Sequence, residues 1–140
     1  MLARRQIPFF NYPALFAAQE TQIMATLREV LQRGAYVMQK DLLEFETQLA
    51  AFVGARHAIG VADGTMGLLL PLLTRNLEPG DEVLVPSHTF VASAAAIHHA
   101  GGTPVLVDCG RDHLIDPVSV RAAITRKTRG IMPVQLNGRT

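Results

Sequence analysis

Tryptophan is absent from this 140-residue sequence, and cysteine occurs once, at Cys109. A single cysteine excludes a disulfide framework within the chain, and it favours a reducing, cytoplasmic setting. Charge of one sign is also lacking, because 13 basic and 12 acidic residues leave a formal net charge of +1. Without a long-range electrostatic field, we do not expect binding to nucleic acid or to an acidic membrane surface.

Long hydrophobic runs are lacking too. The longest one, residues 66–73, is too short to span a bilayer, so no membrane anchor is predicted. The first 18 residues superficially resemble a signal peptide, but Pro8 and Pro13 interrupt the apolar stretch. We interpret it as an extended segment of the mature chain. Hydrophobic residues still make up 49% of the sequence, which is enough for a packed core.

Two amphipathic helices are predicted in the first part of the chain. Apolar residues recur at helical spacing over 13–33, and they do so again over 41–53. Gly34 and Gly54 follow these stretches directly, as glycine often does at the end of a helix. We therefore expect residues 1–57 to form an N-terminal arm with two helices.

Short strand-like runs alternate with helical ones in residues 58–140, which is typical of βα units in a parallel sheet. Residues 105–107 look buried on both faces. Asp116 and Pro117 provide a start signal for the last helix, and Pro71 predicts a kink or an early end in the first. The strands are predicted at 58–62, 82–86, 103–108 and 130–135, and the helices between and after them at 65–76, 90–100 and 117–125.

A candidate anion site lies at residues 63–67, between a predicted strand and a predicted helix. Ligands of parallel α/β sheets bind beyond the carboxyl ends of the strands. Gly64 permits a sharp turn there, and the amides of Thr65 and Met66 with the Thr65 hydroxyl would face outward at a helix N-terminus. The alternative is a plain helix cap formed by Asp63 or Thr65, and these residues taken alone favour the cap.

The next strand end offers weaker candidates. Phe90 could stack on a flat ligand or could be an ordinary core residue at a helix start, and taken alone it favours the core. Ser87, His88 and Asp108 could be arranged as a catalytic triad, but no strained Gly-x-Ser-x-Gly turn supports one.

No metal site is predicted. Cys109 and His113 supply two ligands, fewer than a zinc site needs. We interpret His98 and His99, in the middle of a predicted helix, as one buried and one exposed histidine rather than a metal pair.

The order of short motifs along the chain is more specific than any one of them. The blocks are FE (45–46), AIGV (58–61), GT (64–65), PGDEV (79–83), PSHTFVA (86–92), GTPV (102–105), VD (107–108), IT (124–125) and PVQLNGR (133–139). In this order the chain resembles the DegT/DnrJ/EryC1/StrS family over residues 7–140. Members of that family are fold-type-I enzymes that use pyridoxal 5'-phosphate, and most are aminotransferases of nucleotide-linked keto-sugars.

The resemblance implies an α/β fold, the N-terminal portion of a three-layer αβα large domain with an incomplete sheet. Residues 58–140 would be its first four βα units. In the family's sheet the strand at 82–86 lies between those at 103–108 and 130–135. The strand at 58–62 lies at the opposite edge, and three strands from outside this chain fill the middle. The resemblance therefore predicts open strand edges and exposed apolar faces.

The same resemblance implies a site for pyridoxal phosphate. Gly64, Thr65 and the Met66 amide match the family's phosphate cup, and Phe90 matches the aromatic residue that stacks on the pyridine ring. Asp63 stands where the family usually has serine or asparagine, and Met66-Gly67 stand where it has two alanines. We expect the Asp63 carboxylate to turn away from the phosphate and cap the helix.

The family's Schiff-base lysine and ring-nitrogen carboxylate lie further along the chain than Thr140. Lys40 and Lys127 do not match the lysine position, and both are interpreted as solvated surface charges. No catalytic residue is therefore predicted here, and we expect this chain alone to be an inactive part of a longer enzyme. The resemblance implies a nucleotide-sugar substrate, an amino-acid amino donor, a homodimer and a role in polysaccharide or amino-sugar biosynthesis.

Two alternatives stay open at this point. One is a sugar dehydratase of the same family, which uses the same cofactor but replaces the lysine. The other is a non-catalytic α/β module or fragment that binds a phosphate or a partner chain. Residues beyond Thr140 would discriminate between them.

Overall fold

The structure is a computed structural model that describes Ile7 and residues 9–140. The chain divides into two compact units, Met1–Gly60 and Val61–Thr140. The first unit contains α1 (Tyr12–Gln32) and α2 (Lys40–Val53), which confirms both predicted helices to within one residue. Gly54 adopts φ +71° directly after α2, a left-handed conformation that glycine adopts without strain. The predicted division into an arm of residues 1–57 and four βα units in residues 58–140 stays a prediction.

Arg33 connects the end of α1 to the start of α2. Its guanidinium donates to both carboxylate oxygens of Asp41 at 2.9 and 3.0 Å, and it also pairs with Glu29 at 3.0 Å. The hydrogen bond from Arg33 lowers the pKa of Asp41 and in return raises that of Arg33. Within the described part of this unit, Ala50 is the one fully buried residue, so the apolar faces of both helices are largely exposed.

The second unit is an α/β layer structure built on a three-stranded parallel sheet. Its order is β2-β1-β3, as predicted for these three strands. The α3 helix ends two residues after Pro71, which confirms the early end predicted from that proline. The elements are α3 (Gly64–Leu73), β1 (Glu82–Pro86), α4 (Ala92–His99), β2 (Thr103–Val107), α5 (Pro117–Ala123), β3 (Thr128–Ile131) and a 3₁₀ turn at Leu136–Gly138.

The core of this unit lies between β1 and α4. Val83 and Val85 form a cluster with Ile97, and Leu84 on the other face of β1 is also fully buried. Small residues line the buried face of α4 at helical spacing, with Ala92 and Ala96 at 7% and 0% exposure. Small side chains let α4 approach both the sheet and α3, so this helix holds the unit together.

The predicted strand at 58–62 is wrong for this structure, which has no strand there. A strand needs a neighbour for its backbone groups, and no described residue pairs with this segment. The Gly60 amide instead donates to Glu46 Oε1 at 2.6 Å, and the Ile59 side chain is 79% exposed.

The two outer strands also differ from expectation. Leu106 in β2 is 62% exposed, so the prediction of burial on both faces of residues 105–107 is wrong, because β2 has a neighbour on one side only. The third strand covers Thr128–Ile131 instead of 130–135. Met132 N still donates to Leu84 O at 2.8 Å, but Pro133 has no N–H with which to continue.

Pro104 faces away from the sheet at the outer edge of β2. Thr103 N donates to Asp81 O at 2.7 Å, and Val107 O accepts from Ser87 N at 2.9 Å. Residues 103, 105 and 107 therefore direct their backbone groups towards β1, and residue 104 directs its own outward. A proline at that position removes a donor from the open edge and none from the sheet.

No helix within the described residues is both long enough and apolar enough to cross a membrane.

Candidate functional site

The first turn of α3 is set by Asp63. This residue is extended, with φ −163° and ψ 177°, and its Oδ1 accepts from Met66 N at 2.9 Å. Its carbonyl accepts the first helical hydrogen bond, from Gly67 N at 3.0 Å. Asp63 is therefore the N-cap of α3, as the plain-cap alternative anticipated for it.

Three hydrogen-bond donors remain free beside this cap. Among the described residues, the amides of Gly64 and Thr65 and the Thr65 hydroxyl have no hydrogen-bond partner. A Cβ added to Gly64 would meet no atom within 4 Å, so the backbone is open to approach on that side. Two amides and a hydroxyl at the positive end of a ten-residue helix form a donor set suited to an oxyanion.

The elements around this helix follow one another closely along the chain. Residues 74–81 connect the end of α3 to the start of β1. Phe90 follows the end of β1 and precedes α4, the helix that packs on α3.

Phe90 is exposed rather than part of the core. Its side chain has 76% of its surface accessible, so the ordinary core role that the residue alone favoured is wrong. The Phe90 carbonyl accepts from Ser93 N at 3.0 Å, and the Thr89 and Ser93 hydroxyls are 2.9 Å apart. These bonds anchor the start of α4, which packs on α3, and leave the ring free for a flat ligand.

Two loops meet beyond the carboxyl ends of the strands. The His88 ring contacts the His113 ring edge-on, with centroids 5.7 Å apart. Arg139, after β3, donates from Nη1 to the Asp112 carbonyl at 3.1 Å. This contact of Arg139 could not be predicted, because nothing local in the motif indicates a partner 27 residues away.

The structure likewise gives no support for a catalytic triad of Ser87, His88 and Asp108. Among the described residues, no hydrogen bond joins Ser87, His88 and Asp108. The Asp108 backbone amide donates to Ser119 Oγ at 2.9 Å. In the described part of the chain no three residues of metal-ligating type gather in one place, and Cys109 pairs through its backbone with Ile115.

His98 and His99 are both exposed, so the prediction of one buried histidine is wrong. The buried face of α4 passes through Ala96 and Ile97 and continues at Ala100. The two histidines fall between these positions, near the C-terminal end of the helix.

Lys40 and Lys127 are both exposed, as predicted. Lys40 is the first residue of α2, and Lys127 directly precedes β3. Lys127 therefore lies at the amino side of the sheet, opposite to the side on which Phe90 follows β1.

A cavity of about 580 Å³ is lined by residues of α3, of the segment between α3 and β1, and of β3. Leu72, Val83 and Met132 line it, with the Asp81–Arg129 ion pair at 2.9 Å. The hydrogen bond from the Glu78 amide, with a further one from Arg129, lowers the pKa of Asp81. None of the four predicted cofactor-binding residues lines this cavity, which adjoins the core cluster beside the outermost strand.

Comparison with known proteins gives one consistent result. The model of the DegT/DnrJ/EryC1/StrS aminotransferase family matches residues 17–140. The chain is 40% identical over 134 residues to dTDP-3-amino-3,4,6-trideoxy-alpha-D-glucose transaminase of Streptomyces venezuelae, covering 95% of this chain and 35% of that protein. It is 38% identical over 133 residues to UDP-2-acetamido-2-deoxy-3-oxo-D-glucuronate aminotransferase of Pseudomonas aeruginosa, covering 94% and 36%.

Solved structures agree with the sequences. DesV of Streptomyces venezuelae superposes with a TM-score of 0.86 at 38% identity, over 98% of this chain and 37% of that one. NtdA of Bacillus subtilis, with bound cofactor PMP, superposes with a TM-score of 0.85 at 34% identity, over 97% and 32%. The chain thus spans about a third of the length of these relatives, and the α/β fold with an incomplete parallel sheet is confirmed.

The donor set at α3 fits the phosphate of a pyridoxal cofactor. A phosphate needs several N–H or O–H donors and no permanent negative neighbour. The free amides of Gly64 and Thr65 and the Thr65 hydroxyl meet the first requirement. The Asp63 carboxylate, which occupies the third amide of the turn, is the one feature opposed to it.

Proposed function

Because this chain belongs to the DegT/DnrJ/EryC1/StrS aminotransferase family, we propose that it supplies the phosphate- and ring-binding part of a sugar aminotransferase that uses pyridoxal phosphate. The observation that carries the proposal is the set of free donors at Gly64 and Thr65, supported by the exposed Phe90 ring just before α4, the helix that packs on α3. The Streptomyces venezuelae and Pseudomonas aeruginosa enzymes matched by sequence above are transaminases of nucleotide-linked sugars. The whole enzyme would accordingly aminate a nucleotide-linked keto-sugar with an amino-acid donor, as a cytoplasmic homodimer in polysaccharide or amino-sugar biosynthesis.

Each residue of the site has a separate task in this proposal. The amides of Gly64 and Thr65 and the Thr65 hydroxyl hold the phosphate, and the Met66 amide becomes a fourth donor when Asp63 Oδ1 releases it. Phe90 covers one face of the pyridine ring and fixes its orientation. When bound, the cofactor supplies an electron sink for moving an amino group. The residues of this chain bind and orient it, and none of them is assigned a proton transfer.

The division of labour explains why Lys40 and Lys127 are given no role. A catalytic amine must reach the reacting carbon of the cofactor. Lys127 lies on the amino side of the sheet, about one strand length from the carboxyl side.

Phosphate binding tests the site directly. The ligand is deoxypyridoxine phosphate, which has the ring and phosphate of the cofactor but no aldehyde to react with surface lysines. We expect Thr65→Val to weaken its binding by about 1–3 kcal/mol, because a charge-assisted hydrogen bond is lost. Isothermal titration calorimetry of the full chain measures this loss.

Thr74→Val is the matched control, since it removes a hydroxyl at the opposite end of the α3 region. We expect its affinity to equal that of the unchanged chain. Phe90→Ala should weaken both deoxypyridoxine phosphate and its dephosphorylated form, whereas Thr65→Val should weaken the phosphorylated form alone. Equal affinities of the Thr65 and Thr74 variants would contradict the assignment of the cup.

The chain alone should not transfer an amino group. We would incubate it with pyridoxal phosphate, reduce with borohydride and map the modified residues. Scattered labelling of Lys40 and Lys127 without amino transfer to a keto-sugar is the expected result. Stoichiometric labelling of one lysine together with amino transfer would show that this chain contains its own catalytic amine.

A further inference from the structure

The Asp63 carboxylate stands at the edge of the phosphate cup and already holds one of its donors. Its Oδ1 accepts from Met66 N at 2.9 Å, in the same turn as the free amides of Gly64 and Thr65. Asp63 is exposed and belongs to no ion pair among the described residues. A phosphate bound to the free donors therefore meets a negative charge that forms no ion pair within the described part of the chain.

We propose that Asp63 competes with the cofactor phosphate for the first turn of α3 and thereby lowers its affinity. The inference rests on the proposed function, because it requires phosphate at Gly64 and Thr65. A phosphate that engages Met66 N must displace the carboxylate. A phosphate that leaves Met66 N to Asp63 binds with one donor fewer, beside a like charge. Both routes give weaker binding than a neutral cap would.

Asp63 has two properties that must be separated, its capping oxygen and its charge. Asparagine and serine are about as effective as aspartate at a helix N-cap, so Asp63→Asn and Asp63→Ser keep the start of α3. Both remove the charge. A gain in affinity that the two variants share is therefore an effect of charge, and it does not come from a change in the helix.

The structure offers a matched control on another helix. Asp116 caps α5 by accepting from Val118 N and Ser119 N, both at 3.1 Å. Asp116→Asn changes the net charge of the chain by the same amount and alters the same kind of cap. It does so at a position far from Gly64 and Thr65 in sequence. It should leave the affinity for phosphate unchanged.

We expect Asp63→Asn and Asp63→Ser to bind deoxypyridoxine phosphate about tenfold more tightly than the unchanged chain at low ionic strength. The gain should shrink as salt is added, because screening acts on exposed charges. Binding of deoxypyridoxine without its phosphate should be equal in all variants.

Calorimetry on the full chain and on these variants, with circular dichroism to verify helix content, decides the matter. The inference is overturned if Asp63→Asn and Asp63→Ser bind the phosphorylated ligand no more tightly than the original chain. In that case, weaker binding by Thr65→Val would still support the proposed function. A gain that extends to the dephosphorylated ligand, or loss of helix content in both Asp63 variants, would also overturn the inference. If no variant binds the phosphorylated ligand although its helices are intact, the proposed function fails and the inference fails with it.

Discussion

Neighbouring strands of one sheet differ sharply in how they are packed. In β1, Leu84 is fully buried between two parallel neighbours, whereas Leu106 in the adjacent β2 is 62% exposed. Both are leucines near the middle of five-residue strands, and their sequence surroundings are equally apolar. The hydrophobic pattern therefore indicates a strand without indicating how many neighbours that strand has.

The largest expected effect comes from testing this pair directly. Leu84→Ala should lower the free energy of unfolding by about 2–5 kcal/mol, because it leaves a cavity in a closed core. Leu106→Ala should change it by less than about 1 kcal/mol, since most of that side chain is already in water. Urea unfolding of both variants measures the contrast. Similar losses at the two positions would show that β2 is covered in solution.

Two glycines give a second contrast, between the start of β2 and β3. A Cβ at Gly102 would stand 2.9 Å from Leu77 Cδ1 and 3.3 Å from Ile97 Cγ2, whereas at Gly130 in β3 the nearest atom, Val83 Cγ1, is 3.8 Å away. Gly102→Ala should destabilise the chain by about 1–3 kcal/mol through overpacking. Gly130→Ala should be close to neutral. The melting temperatures of the two variants give the comparison, and a larger loss for Gly130→Ala would refute it.

The N-cap of α5, a helix that contacts β2, provides a third comparison. Asp116→Ala should cost about 1 kcal/mol, because two backbone amides lose their acceptor. Asp116→Asn should retain most of the stability. If the alanine variant unfolds at the same urea concentration as the original chain, the α5 cap contributes nothing to the unit.

The smallest expected effect is on the loss of folding stability at acid pH. The pKa of Asp81 is lowered first by the Glu78 amide and then by Arg129, so its folded pKa lies below the unfolded one. The ionised carboxylate therefore stabilises the fold above the ordinary carboxyl range, and this stabilisation is lost as the pH falls below about 4. Asp81→Asn should show a smaller loss of stability than the original chain over this acid range.

Arg129→Gln is the companion variant for that experiment. It removes the second partner of Asp81 and leaves the Glu78 amide, which has the larger influence on the pKa. We expect an intermediate acid dependence, read from unfolding curves at several pH values. An acid dependence equal to that of Asp81→Asn would instead make Arg129 the dominant partner.

Local signals predicted the elements that local physics determines. The glycine after α2, the Asp116 cap and the proline in α3 each specify a helix end without help from distant residues, and all three are confirmed. The segment 58–62 failed for the opposite reason. Its pattern is that of a strand, but strands are completed by partners, and its Gly60 amide found Glu46 instead.

The candidate site follows the same division. The motif Gly64-Thr65 and its place before a helix were readable from the sequence, and so was the capping role of Asp63. The exposure of Phe90 was not readable from the residue alone, because an aromatic residue at a helix start suits a core equally well. The contact of Arg139 with Asp112 depends on three strands being brought side by side, which no short motif encodes.

Pro104 makes the two open edges of the sheet unequal as sites for pairing with another strand. On the β2 edge the outward position lacks an N–H, whereas on the β3 edge Met132 points inward and Ile131 keeps its outward N–H. Copies of this chain that associate through a sheet edge should therefore pair β3 with β3. Such a contact uses the same surface on both copies, so it closes on itself about a two-fold axis. Growth into an open fibre would need pairing at the β2 edge as well, and Pro104 weakens pairing there.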